Sequence, residues 1–172
     1  MANWCENTLV VVGKKDELEK FKEHAKGENG ILDANKFIPY PRELDELYEK
    51  EVPIGQQVIE RLKGSGWTPS DYGYNHGGYN WCIENWGTKW NFGEVELVWE
   101  EDESLTYSFE TAWSPPEPVI KKMGEMFPNL GFELEYSEPG VGFQGLLRIE
   151  GGSVVEDSCG DYVDEETRHK TN

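Results

Sequence analysis

Two stretches, residues 94–110 and 132–150, put an apolar side chain at nearly every second position, and nothing else in the chain restricts its fold as much. A period of two belongs to a β-strand with one face buried and the other wet. Val95, Leu97 and Trp99 alternate with Glu94, Glu96 and Glu100. After a polar turn at Glu101-Asp102-Glu103, Leu105, Tyr107 and Phe109 alternate with Thr106, Ser108 and Glu110. The two runs predict an antiparallel hairpin. Phe132, Leu134 and Tyr136 then alternate with Glu133, Glu135 and Ser137, and Phe143, Leu147 and Ile149 with Gln144, Arg148 and Glu150, which predicts two more half-buried strands.

The first half of the chain has a different period. Leu9 to Val12 is a β-branched apolar run before Gly13 and reads as an inner strand buried on both faces. A helix follows, with Asp16 and Glu19 as a capping box, Leu18, Phe21 and Ala25 on one face, and Gly27 as a left-handed stop. Pro41 opens a short helix carrying Leu44, Leu47 and Tyr48, and a second helix runs from Ile54 to Lys63 with Ile54, Val58 and Leu62 inward. Gly64 to Gly78 is a loop. Tyr79, Cys82, Ile83 and Trp86 recur at helical spacing before Gly87. Later, Ser114 and Glu117 form another capping box with Pro115 in the first turn. Val119, Ile120, Met123 and Phe127 bury that helix until Pro128.

The order is strand, helix, helical insertion, strand, strand, helix, strand, strand. It predicts an α+β, ferredoxin-like split βαβ plan, with an antiparallel sheet, two helices on one face and a helical insertion at about 40–90. At 172 residues the chain suits one domain, taken as 1–155, followed by an acidic, flexible tail at 156–172.

Charge narrows the function. Sixteen Lys and Arg against 34 Asp and Glu leave a formal charge of −18. Residues 1–90 hold 11 basic against 15 acidic side chains and residues 91–172 hold 5 against 19, so the second half repels anions. Phosphate-backbone binding needs clustered cations, so this charge balance argues against it. Cys5, Cys82 and Cys159 are odd in number and widely spaced, which predicts reduced thiols rather than a disulfide framework or a cluster site. The N-terminus lacks a basic stretch followed by a long apolar run, so the expectation is a cytoplasmic protein away from membranes, a monomer or a dimer, without metal or cofactor.

Three segments share an unusual aromatic vocabulary: Asn3-Trp4-Cys5-Glu6-Asn7, Tyr79-Asn80-Trp81-Cys82-Ile83-Glu84-Asn85-Trp86-Gly87-Thr88-Lys89-Trp90, and Phe109-Glu110-Thr111-Ala112-Trp113-Ser114-Pro115-Pro116. They resemble the YubB-like family of uncharacterised plasmid- and phage-borne proteins, over nearly the whole chain except the acidic tail. The resemblance implies a ferredoxin-like domain and a mobile-element context. It brings no activity and no catalytic residue.

Two candidate sites emerge. One is an aromatic pocket in which Trp86, Trp90 and Trp113 stack on a ligand, Lys89 supplies a cation, and Asn75, His76 and Asn80 fix its orientation. The competing reading has these indoles joining the helical lobe to the sheet, which is the usual fate of Trp. Among the histidines only His76 sits in a Gly-rich loop; His24 falls on the exposed side of the first helix and His169 in the tail. The second candidate is an acidic sheet face carrying Glu94, Glu96, Glu110, Glu133, Glu135 and Glu150, all on the polar phase of their strands; the competing reading is a solvated face, since a soluble acidic protein carries such charge without a partner. The favoured reading is a non-enzymatic interaction protein that docks this face on a basic protein surface, one that handles nucleic acid. The alternative is a small-molecule-binding or enzymatic domain built on the aromatic pocket.

Overall fold

The computed structural model describes residues 3–42, 78–164 and 166. Six strands form one antiparallel sheet: β1 (Trp4–Val12), β2 (Gly93–Glu101), β3 (Ser104–Ala112), β4 (Gly131–Glu138), β5 (Phe143–Glu150) and β6 (Ser153–Asp161). Their order across the sheet is β2-β3-β1-β4-β5-β6. The helices are α1 (Lys15–Ala25), α2 (Tyr79–Trp86) and α3 (Glu117–Met126). β3 lies between β1 and β2, and β1 lies between β3 and β4, so two βαβ units are each split by a strand of the other. This is the expected ferredoxin-like plan, with β5 and β6 added beside β4.

The core lies between the sheet and the helices. Leu9 and Val11 of β1, Tyr107 and Phe109 of β3 and Leu134 of β4 meet Phe21 of α1 and Ile120 and Met123 of α3, all buried. Burying each such side chain stabilises the fold by about 1.5–3 kcal/mol. The phenyl ring of Phe21 meets Tyr107, Phe127 and Phe132 edge-on at 5.3–6.3 Å, which ties α1 to β3, to the end of α3 and to β4. A buried polar knot supports this layer from the side. Asp33 accepts from the Asn29 and Asn35 amides and from Asn91 Nδ2, while Asn91 Oδ1 accepts from the Ala34 and Phe92 amides. It fixes the α1-following loop to the start of β2 without any cation.

Several local expectations are corrected. β1 is central in the sheet but alternates buried and exposed positions along its length, so only one of its faces is covered. Neither capping box forms: α1 starts after Lys14 and α3 after Pro116, with no side-chain cap on either. Ser114 Oγ instead donates to the Gly87 carbonyl and pins the two loops together. Gly27 does not adopt a left-handed conformation; a side chain there would run into the Asp33 carboxylate, so close approach is what requires glycine. Gly87, with φ +78, does cap α2 as expected. His24 is half-buried, edge-on to Phe37 and Phe127, with Nε2 2.7 Å from the Lys36 carbonyl.

Two differences alter the sheet itself. The tail expected from residue 156 contributes residues 156–161 to β6, which pairs with β5 from Glu150 to Phe143 although every one of its side chains is exposed. Tyr162 and Val163 are held as well, their amides donating to the Gly142 carbonyl and Gln144 Oε1. β2 carries two bulges. Gly93 and Glu96 face Glu110 and Ser108, and Leu97 and Trp99 face Tyr107 and Thr106, so β2 gains one residue at each step. The second bulge reverses the phase of Trp99, which is 60% exposed rather than packed in the core. The helices expected at 41–52 and 54–63 and the 64–77 loop lie outside the described residues.

Candidate functional site

The two candidate sites fare differently. In the aromatic one, Trp86 is 3% exposed, donates Nε1 to the Ile38 carbonyl at 2.8 Å, and stands perpendicular to Trp81 at 5.3 Å. Its hydrogen bond and its ring contacts, to Ile38, Tyr40 and Trp81, are committed to packing. Trp90 is half-buried, 6.0 Å from the Trp4 ring, with Lys89 Nζ 5.2 Å above its own ring. Trp113 is exposed and holds φ +71, its amide donating to the Asn3 carbonyl. Trp86 is thus packed inside, while Trp90 and Trp113 lie nearer the surface, both beside the start of β1. Asn75 and His76 lie outside the described residues, and so does the side chain of Asn80.

The acidic site follows from strand register. Cys5, Asn7, Leu9 and Val11 point into the core, so Glu6, Thr8 and Val10 take the opposite face. The ladder then places Glu110, Ser108 and Thr106 of β3 and Ser137, Glu135 and Glu133 of β4 on that same face. Arg148 and Glu156 lie beyond Glu133, and Glu96, Trp99 and Glu101 lie beyond Ser108, Thr106 and Ser104. Of the expected set, Glu96, Glu110, Glu133, Glu135 and Glu150 share the face. Glu94 does not join the ladder: it sits in the first bulge, exposed, with φ +47. Glu100, expected on the polar phase, is turned by the second bulge to the helix side, where Lys22 Nζ lies 2.7 Å away. Glu6, Glu101 and Glu156 were not singled out, because the first two fall outside the recognised alternation and the third in the presumed tail.

The face divides electrostatically. On β4, β5 and β6 the guanidinium of Arg148 contacts Glu133, Glu150 and Glu156, each at 3.2–3.3 Å. On the β2-β3-β1 side and at Glu135 no described residue offers a cation to Glu6, Glu96, Glu101, Glu110 or Glu135. Glu6 is the direct register partner of Glu110. Directly opposed positions have Cβ atoms about 4.5–5.5 Å apart, where like charges are destabilising. A shallow trough of about 730 Å³ crosses this face between Glu6 and Thr8 on one side and Tyr162 and Val163 on the other, with Glu135 and Leu146 in its floor.

Three groups on the core side, Cys5, Tyr107 and Tyr136, are held in their neutral forms. Burial pushes the Cys5 thiol up to about 12, partly offset by a hydrogen bond with Thr111, and burial likewise pushes the Tyr107 phenol up to about 12. The Tyr136 phenol is also raised, first by burial and then by its hydrogen bonds with Cys159 and Glu117. Gly145, opposite Cys159, leaves the room in which that phenol crosses β5, since any side chain there would meet Tyr136 Oη. Glu138 is a buried carboxylate whose oxygens accept from the Gly140 and Val141 amides and shape the β4-β5 turn. No group of three or more His, Cys, Asp or Glu able to hold a metal occurs among the described residues. No described helix is long and apolar enough to cross a membrane.

Comparison with known proteins bears on fold. The model of a family described as a ferredoxin-like domain in Api92-like protein matches residues 85–172, half of the chain and all of the presumed tail. The crystal structure of a protein api92 from Yersinia pseudotuberculosis is similar, with a TM-score of 0.59 and 13% identity, covering 95% of this chain and 99% of that one. At that identity the likeness concerns architecture alone. No curated protein matches.

Proposed function

The chain belongs to the family of ferredoxin-like domains in Api92-like proteins, and from that premise we propose that it is a non-enzymatic interaction protein whose open sheet face docks on a basic protein surface. One observation carries this reading. Glu6 and Glu110 stand opposite each other with Glu96, Glu101 and Glu135 on the same face, and no described cation relieves them. A fold gains nothing from holding like charges together in this way, whereas a cationic partner recovers that cost on binding.

The partner is a protein that handles nucleic acid, because a surface built to hold phosphates clusters Lys and Arg. Nucleic acid itself is the wrong ligand for a chain of formal charge −18. The resemblance to YubB-like proteins supports a mobile-element setting and action in the host cytoplasm. Trp86, packed and hydrogen-bonded, disfavours the alternative of a small-molecule pocket around Trp86, Lys89 and Trp90.

The test is binding of the full chain to basic host proteins across a salt series. Capture should weaken steeply as salt rises, because the attraction between exposed charges is screened within about 10 Å at 0.1 M. It should be lost when Glu6, Glu96, Glu110 and Glu135 are changed to Gln together. Capture indifferent to salt, or equal in the four-Gln variant, rules this reading out.

A further inference from the structure

The bulge between Leu97 and Trp99 has a chemical consequence. Sheet bulges re-aim a side chain, and this one turns a tryptophan that sequence phase assigns to the core onto the acidic face. There Trp99 is 60% exposed. Its neighbours on the same face of β2 are Glu96 on one side and Glu101 on the other, at the level of Ser108 and Ser104. Their partners Ser108 and Ser104 each stand two positions from Thr106, the partner of Trp99, so each carboxylate lies about 7 Å along the ladder. The next carboxylate along the strand, Glu100, points to the other face and is taken by Lys22.

We infer that Trp99 is the aromatic anchor of this face and that the partner segment it receives presents arginine. This rests on the docking function proposed above and specifies its chemistry. A guanidinium is planar: it lies flat on an indole through cation–π attraction while its N–H groups fork toward a carboxylate at the ring's edge. Glu96 and Glu101 stand on either side of the ring to accept that fork. Lysine offers a compact, strongly hydrated charge with no plane to stack, so the same face receives it less well. A second copy of this chain is the wrong occupant. Face-to-face association would bring Glu96, Glu101, Glu110 and Glu135 against their own kind. Exposed tryptophan is also among the residue types that most often dominate binding between proteins, although Trp99 sits on the edge strand.

The experiment uses fluorescently labelled octa-arginine and octa-lysine peptides, titrated with the full chain and followed by anisotropy at low and high salt. The wild-type chain should prefer octa-arginine by about 2- to 5-fold, the effect of a cation–π contact at an exposed site. Trp99→Ala should erase that preference while both peptides still bind in a salt-dependent way, and Trp99→Phe should keep part of it. If Trp99→Ala retains the wild-type preference, the anchor is elsewhere, and the acidic docking face stands without it. If neither peptide binds, or binding ignores salt, the docking function falls and this inference with it. If sizing shows a dimer that Trp99→Ala dissociates, the occupant is a second copy and the arginine assignment is overturned.

Discussion

The two faces of this sheet treat charge in opposite ways. On the helix side, carboxylates at the sheet's margins meet lysines brought by the helices: Lys22 reaches Glu100, Lys15 reaches Asp102, and Lys121 lies between Glu117 and Asp157. On the open side Arg148 contacts three carboxylates at its end of the sheet, and among the described residues no cation meets those at the other end. Exposed pairs of this kind contribute only about 0–1 kcal/mol each, so neither arrangement decides whether the chain folds. What the contrast teaches is a division of labour. The face that carries stability has its charges matched, and the face that carries none of the core keeps an electrostatic debt that a partner can discharge.

Changes on the packed face should break the comparison most forcefully. Trp86→Ala removes a 3%-exposed indole, its contact with Trp81 and its hydrogen bond to Ile38, and should cost about 3–5 kcal/mol, measured as a lower urea midpoint. Trp99→Ala should leave that midpoint within about 0.5 kcal/mol, as expected for a surface position. Comparable losses from both variants would mean that Trp99 is structural and that the two faces are not functionally distinct.

Much of this division was legible in the sequence. Alternation in β2 to β5 placed Glu110, Glu133 and Glu135 opposite Phe109, Phe132 and Leu134, because side-chain period and burial are the same signal in a half-covered sheet. The illegible parts are those where the backbone, not burial, decides. A bulge has no residue signature in Leu97-Val98-Trp99, so the phase of Trp99 and Glu100 was misread. β6 is a strand by virtue of hydrogen bonds to β5, and its exposed Glu156-Asp157-Ser158 carries no apolar alternation to announce it. The Ser114 capping box gives way for a related reason: its hydroxyl is committed to the distant Gly87 carbonyl rather than to the first-turn amides of its own helix. The pocket around Trp86 looked like a site because aromatic clustering in sequence does not distinguish an anchor from a core.

A second difference between the faces should appear at high pH. Cys5 and Tyr107 ionise at about 12 in the fold, against ordinary values of 9.0 and 10.0, because burial opposes the charged forms. Above pH 9 the unfolded chain therefore gives up protons that the folded chain keeps. The stability that these groups contribute is fully present below about pH 9 and is lost as pH rises through 9 toward 12. The urea midpoint should fall across that window, and Cys5→Ala should flatten its lower part, where only the thiol titrates in the unfolded state. A midpoint that stays level to pH 11 would show that these groups are not held neutral by burial.

The smallest expected effect has the opposite sign. Glu110→Gln keeps the shape of the side chain and removes one of the two charges facing each other across β1 and β3. If the Glu6–Glu110 opposition is a cost borne by the free protein, the variant should be more stable than the wild-type chain by about 0.2–1 kcal/mol at low salt. The gain should fade as added salt screens the repulsion in the wild-type chain. Glu133→Gln is the control on the Arg148 side, where loss of a contact to that guanidinium should leave stability unchanged or slightly lower. A mutation that stabilises the fold while weakening capture of a basic partner separates the two roles, since the charge would then serve binding at the expense of folding. Equal responses at Glu110 and Glu133 would mean that Arg148 does not partition the face, and that the bare end is no more available to a cation than the other.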